Sequence, residues 1–224
     1  MSANEPAELE RIYEARFQKN QEYRREVWVA LLDGFFQKYV APTDTVLDLG
    51  CGYGEFINQV RCRHKYAMDL NPKTARCLDP AVTFCQQDCS ERWKLDDDSL
   101  NVVFTSNFFE HLPDKTALGK TLDEVRRCLA PGGRLIAMGP NIKFLPATYW
   151  EFWDHHLALT ENSLEEALVT RGFGLEEKIA KFMPYTMVNR PQYPILFLRM
   201  YLKLRIAWRV FGRQFLVIAR KPPR

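Results

Sequence analysis

Residues Val46 to Phe56 read VLDLGCGYGEF, and this stretch decides how the chain is understood. Its apolar start has the composition of a buried strand. Three glycines, Gly50, Gly52 and Gly54, then fall on alternate positions. An acid and an aromatic follow where a helix can begin. Glycine adopts backbone conformations closed to other residues and lets a ligand approach the main chain. A glycine turn between strand and helix therefore asks what it holds: a phosphate, a dinucleotide, or a ligand without phosphate. A tight turn with no ligand is the plainer reading of such a pattern alone.

The surroundings narrow the choice. The spacing is GxGxG and not the GxGxxG of dinucleotide binders, which speaks against a nicotinamide oxidoreductase, and no Lys-Ser/Thr follows as in a P-loop. Asp69 ends the second strand candidate, where a carboxylate can accept both hydroxyls of a ribose. Asp88, in FCQQDCSE, follows the third, where an adenine amino group can be read. Asp48 stands two residues before the first glycine. The set collects carboxylates and no phosphate-binding cation, which suits a positively charged ligand.

The rest of the chain alternates strands and helices. Strands are expected at Thr45–Leu49, Tyr66–Asp69, Val82–Cys85, Asn101–Thr105, Arg134–Met138, Leu175–Ala180 and Gln214–Ala219. Helical patterns cover Glu8–Gln18, Glu22–Tyr39, Thr121–Leu129 and Ser163–Thr170. The last of these can be capped by Asn162 or Ser163 and closed by Gly172. The alternation predicts an α/β fold, a Rossmann-like three-layer sandwich around a mostly parallel seven-stranded sheet whose last strand is antiparallel. Residues 1–42 are read as an N-terminal helical cap. Residues 43–224 are read as the Rossmann-like domain, with an acceptor-side loop at about 140–162 and a basic amphipathic insertion at about 181–213.

The quoted stretches resemble the class I S-adenosylmethionine-dependent methyltransferases, within them the small-molecule group with the type-eleven methyltransferase domain. VLDLGCGYG is similar to the family's first motif and AMDLNP to its acidic ribose motif. QQDCSE is similar to the adenine-reading loop, NVVFTSNFFEHLPD to the motif after the fourth strand, and EVRRCLAPGGRLIAM to the helix–Pro-Gly-Gly–strand signature. The resemblance implies S-adenosylmethionine as cofactor and a role for each matched residue. Gly50, Cys51, Gly52, Tyr53 and Gly54 form the loop against the methionyl and ribose parts, and Asp48 orients the amino-acid end. Asp69 takes the ribose diol and Leu70 lies against the adenine. Asp88 and Cys89 meet the adenine edge, and Asn107 and Phe108 line the sulfonium side. Asn101 departs from the aspartate that the family often carries at the start of the fourth strand.

If the methyl acceptor is a hydroxyl, a general base helps, and histidine suits neutral pH. The candidates are His111, after the fourth strand, and His155 and His156, in the TYWEFWDHHLALTEN stretch. Tyr149, Trp150, Phe152 and Trp153 of that stretch can wall an apolar or sugar-binding cleft. Asp154, His155 and His156 lack further ligands at metal spacing, and HExxH and paired Cys/His patterns are absent, so no metal is expected. The Asn/Asp-Pro-Pro-Tyr/Phe motif of adenine or glutamine nitrogen methylation is replaced by Ser106-Asn107-Phe108-Phe109. In relatives the N-terminal helices, here with Tyr13, Arg16 and Phe17, cover the cofactor; a surface helix without ligand contact is the plainer reading.

Charge is distributed unevenly. The formal net charge of +3 hides ten Lys or Arg and no Asp or Glu from Lys181 onward. Pro194–Phe211 reads PILFLRMYLKLRIAWRVF, a basic amphipathic helix at ~100° per residue. Its plainer reading is a core-packing helix with a solvated basic face. Its sharper reading is peripheral contact with a membrane or a lipid-linked acceptor. Nucleic acid is a weaker fit because no RNA-binding module is recognisable.

No signal peptide or spanning helix is expected, and six scattered cysteines fit reduced thiols, so a cytoplasmic location is expected, with or without membrane association. The functional expectation is S-adenosylmethionine-dependent methyl transfer, as O-methylation of a small molecule, glycan or lipid-linked intermediate. The alternatives are a non-catalytic cofactor-binding or scaffold protein of the same fold and an RNA-modifying methyltransferase.

Overall fold

The computed structural model describes residues 21–185 and 192–223. The expected helix at Glu8–Gln18, and with it Tyr13, Arg16 and Phe17, lies outside them. Seven strands form one sheet in the order β3-β2-β1-β4-β5-β7-β6. They are β1 (Thr45–Leu49), β2 (His64–Asp69), β3 (Val82–Gln86), β4 (Leu100–Ser106), β5 (Leu129–Pro140), β6 (Gly174–Ile179) and β7 (Gln214–Arg220). β1 pairs in parallel with β2 and β4, β2 with β3, and β4 with β5, whereas β7 runs antiparallel to both β5 and β6. This is a Rossmann-like sheet, and the strand order reverses between β1 and β4.

Side chains alternate across each strand, so the sheet feeds two cores. Leu47, Leu49, Val103, Leu135 and Val217 pack on one face, beneath α3 (Lys115–Cys128) and α4 (Glu161–Val169). Val46, Val102, Phe104, Ile136 and Ile218 pack on the other, with α1 (Gln21–Gly34), α2 (Glu55–Gln59), α5 (Ile195–Lys203) and α6 (Arg205–Phe211). Both faces are covered, which is why β1 and β4 read as near-continuous apolar runs.

Several boundaries differ from expectation: β5 runs Leu129–Pro140 where Arg134–Met138 is expected, and α3 runs Lys115–Cys128 where Thr121–Leu129 is expected. The first helix stops at Gly34, and a short 3-10 turn, Phe36–Tyr39, continues the segment. A Cβ on Gly34 would come within 2.7 Å of Leu202 Cδ1, so the glycine lets α5 lie close to α1. The cap of α4 is Thr160, not Asn162 or Ser163. Thr160 accepts from Ser163 N–H, and the Ser163 hydroxyl takes the Thr160 N–H in return.

The basic segment is two helices broken at Leu204, not one. The break lets Leu202 and Trp208 both turn inward. The Trp208 indole N–H donates to the Tyr201 carbonyl at 2.8 Å, and the Tyr201 hydroxyl donates to the Phe182 carbonyl at 2.6 Å. No helix among the described residues is long and apolar enough to cross a membrane.

Candidate active site

The site lies where the strand order reverses, at the carboxyl ends of β1, β2 and β4, as expected for an open α/β sheet. The main chain first continues the β1–β2 pairing: Gly50 and Cys51 N–H both donate to the Met68 carbonyl. Then it turns through left-handed conformations, with φ of 69° at Gly50, 55° at Gly52 and 74° at Gly54, into α2. Only glycine takes such values at little cost. Gly50 has a second reason to lack a side chain: a Cβ there would meet the Phe108 ring at 2.2 Å. Phe108 thus lies directly against the loop. Asn107, just before it, has φ of 51° and turns the chain sharply out of β4.

Asp69 is fixed by the loop it faces. Its Oδ2 accepts from Gly52 N–H and its Oδ1 from Asn71 N–H, each at 2.9 Å. Asp48 is buried, and burial, followed by the negative charge of Glu55, raises its pKa well above the usual carboxylate range. Glu55 is shifted upward by burial too, although Arg24 of α1 pairs with it at 2.9 Å. Arg24 also lies 5.6 Å from the Tyr53 ring centroid, so the N-terminal helix reaches the loop.

The remaining expected residues fall around this frame. Cys51 points into the α1-side core, and burial keeps it a thiol. Leu70 is half-buried, and its carbonyl accepts from the Gln86 side chain. Asp88 Oδ1 accepts from both the N–H and the hydroxyl of Ser90. The Cys89 side chain turns away, toward Thr121 at 3.3 Å in the α3-side core. Asn101 Oδ1 accepts from Thr45 N–H at 2.8 Å, at the opposite end of the strands, so its departure from the family pattern does not touch the site.

A second group lies after β4. His111, at the end of a short 3-10 turn, places Nδ1 2.9 Å from the Asp154 carbonyl oxygen and 3.3 Å from its carboxylate Oδ2. The His155 ring stands 5.0 Å from that of His111 and is packed between Phe152 and Tyr149. His156 is exposed, and its N–H donates to the Glu110 carbonyl.

Glu110 itself, not singled out by sequence, is 3% exposed, and its Oε1 has no hydrogen-bond partner. Burial, the largest cause, pushes its pKa up to about 8. Glu110, His111 and His155 each bring a donor atom within 4.8 Å of the others, a set of the kind that can hold a divalent cation. The signal that could have exposed Glu110 is its place in the FFEHL turn after β4. Tyr149, expected to wall a cleft, is wholly buried, and its hydroxyl donates to the Leu157 carbonyl. Trp150 and Trp153 are exposed.

The donor set suits one kind of guest. Asp48, Asp69 and Glu55 crowd one glycine turn, and the cation there, Arg24, is paired with Glu55. Such a cradle favours a nucleoside carrying positive charge and disfavours a phosphate. A Rossmann-like sheet with such a turn is suited to binding a nucleoside.

Residues 47–137 match the family model described as a methyltransferase domain. Nothing among the curated proteins matches the sequence significantly. Among solved structures, an S-adenosylmethionine-dependent methyltransferase from Archaeoglobus fulgidus is similar, with 21% identity, 88% of this chain and 94% of that chain covered, and a TM-score of 0.65. The N-methyltransferase NodS from Bradyrhizobium japonicum WM9 is 15% identical, with 91% and 98% covered and a TM-score of 0.60. The [4+2]-cyclase SpnF is 16% identical, with 81% and 76% covered and a TM-score of 0.56. At such identities the likeness is one of fold. Residues 47–137 thus carry a methyltransferase domain, in a fold shared with S-adenosylmethionine-dependent methyltransferases, and S-adenosylmethionine is the cofactor this implies.

Proposed function

We propose that the enzyme methylates an oxygen of a small molecule, glycan or lipid-linked intermediate, with His111 as general base. The observation that carries this reading is the seat of His111 Nδ1 against Asp154, three residues along the chain from the Phe108 that packs on the glycine loop. With Nδ1 donating to Asp154, Nε2 keeps its lone pair. A hydroxyl must lose its proton as its oxygen attacks, and in this reading Nε2 takes it. A neutral amine attacks through its own lone pair, so an oriented imidazole favours oxygen. His155 then acts as a positioning residue, because it is buried beside His111.

Bound S-adenosylmethionine supplies a methyl carbon already activated by the sulfonium. The chain's own task is alignment, which can contribute much of the rate. In this reading Asp69, held by Gly52 and Asn71, accepts the ribose hydroxyls. Asp48 orients the amino-acid end. Gly50, Gly52 and Gly54 bring the main chain close, with Cys51 and Tyr53 completing the loop. Leu70 lies against the adenine and Asp88 reads its edge, with Cys89 contributing through its main chain because its side chain faces the core. Asn107 and Phe108 line the methyl side.

The test has two stages. Calorimetric titration with S-adenosylmethionine and S-adenosylhomocysteine, alongside Asp69→Ala, examines the pocket. Turnover of hydroxyl and amine acceptors by wild type and His111→Ala then examines the base. Methylation confined to amines, with kcat unchanged in His111→Ala, would overturn the oxygen reading.

A further inference from the structure

We propose that the outward face of α5 and α6 docks the enzyme on a membrane rich in anionic lipid. The inward sides of these helices are fully used. Leu198, Tyr201, Leu202 and Trp208 pack on the α1-side core, and Trp208 and Tyr201 spend their polar hydrogens on main-chain carbonyls. What faces outward is nevertheless apolar. Leu196 is 65% exposed, Phe197 59%, Ile206 73% and Phe211 61%, with Met200 and Val210 beside them. These side chains add nothing to the core that the inward set does not already supply. A face of this size on one short segment is the mark of an interaction surface.

Charge decides the partner. Arg199, Lys203, Arg205 and Arg209 are exposed among those apolar side chains, and Arg213 follows at the end of α6. Arg205 has an acid nearby, Glu177 at 3.7 Å, and is itself largely solvated. No acid of the described residues is in ion-pair range of Arg199, Lys203, Arg209 or Arg213, and none occurs in the sequence after Glu177. Apolar side chains alternating with unpaired cations match an interface where hydrocarbon lies below and phosphate headgroups lie at the rim. Long basic stems can reach up to headgroups while Phe197, Ile206 and Phe211 enter the acyl boundary. A second copy of the chain would set these cations against one another and leave them unneutralised.

The face is also placed to matter. α5 packs along α1, Gly34 touching Leu202, and α1 carries Arg24 to the glycine loop. The proposed membrane seat and the cofactor site thus share one helix. The docking proposal stands whether or not the acceptor is an alcohol.

The experiment is flotation of the full chain with vesicles of phosphatidylcholine, with and without about 30% phosphatidylglycerol. Binding to the anionic vesicles, weakened by salt, is expected. A variant with Leu196→Ser, Phe197→Ser, Ile206→Ser and Phe211→Ser should lose at least about tenfold in partitioning. It should keep its melting temperature and its affinity for S-adenosylmethionine. An Arg199→Gln, Lys203→Gln, Arg209→Gln variant should lose the preference for anionic lipid. Three results would overturn the proposal: no wild-type binding to anionic vesicles at low salt, undiminished binding by the serine variant, or a wild-type dimer in sedimentation that the serine variant turns into monomer.

Discussion

The Phe108 ring occupies the space where any side chain at Gly50 would have to go. A Cβ on Gly50 falls 2.2 Å from one ring carbon and 2.3 Å from another. The first glycine of the loop is therefore demanded by an aromatic just after β4 as well as by its φ of 69°. Gly50→Ala should destabilise the fold by roughly 2–4 kcal/mol, from backbone strain and displacement of Phe108 together. Gly132→Ala is the matched control, with φ of 80° but open space around its Cβ position, and should lose only about 1 kcal/mol. Thermal melts of the two variants check the difference.

Asp69 accepts two main-chain N–H groups at 2.9 Å, which hold its carboxylate against the glycine loop. Asp69→Ala should weaken S-adenosylmethionine binding about 10- to 100-fold, the worth of charge-assisted hydrogen bonds to a diol. Asp69→Asn should fall between wild type and alanine. Calorimetry reads both.

Asp48 is held above the usual carboxylate range by burial and by Glu55. Binding a cationic amino-acid end needs it ionised, so at lower pH it must first give up a proton. Affinity for S-adenosylmethionine should therefore rise with pH above the ordinary carboxylate range, and the slope should shrink in Asp48→Asn. Titrations at a series of pH values in buffers of different ionisation enthalpy measure the proton released.

Glu110 predicts an unusual stability profile. Its pKa is about 8 in the fold against an ordinary 4.5. Between those values the unfolded chain gives up the proton while the folded chain keeps it. The folded form binds more protons there, so stability falls as pH rises from about 4.5 to about 8 and then levels. Glu110→Gln, neutral at every pH, should flatten part of that fall, by roughly 1–3 kcal/mol at pH 8. Denaturant unfolding at pH 5, 6.5 and 8 would show it; equal slopes in both proteins would remove Glu110 as the cause.

His111 and Asp154 should act as a unit. His111→Ala should lower kcat about 10²- to 10⁴-fold with cofactor affinity intact. Asp154→Asn, which keeps the size of the side chain, should lower kcat less. Adding the second change to the first should cost little more, as expected when one residue acts through the other.

The features legible in the sequence were those that depend on neighbours along the chain. The central strands β1 and β4 are legible because each is a short apolar run bounded by turn residues, and the glycine loop because its spacing is local. His111 and His155 are legible as candidates, but their surroundings are not. Asp154 reaches His111 across 43 residues, and in sequence Glu110 is one more acid in a turn, its burial set by contacts far along the chain. Tyr149 fills the core where a cleft wall is expected, because a tyrosine in either place has the same letters around it. The helix over Pro194–Phe211 kept its period on paper. The demand of the sheet for both Leu202 and Trp208 broke it at Leu204.

The place of β7 has a consequence for how the protein is made. Leu216, Val217 and Ile218 sit between β5 and β6 and pair with both. On the ribosome both flanking strands emerge first, and each must wait with an unsatisfied edge for a partner translated later. The β1–β4 half, with its cofactor loop, can form while the chain is still growing. The other half closes only when this late strand, apolar from Phe215 to Ala219, slides into the gap. Nascent chains stalled before β7 should therefore be the species that aggregates or engages chaperones.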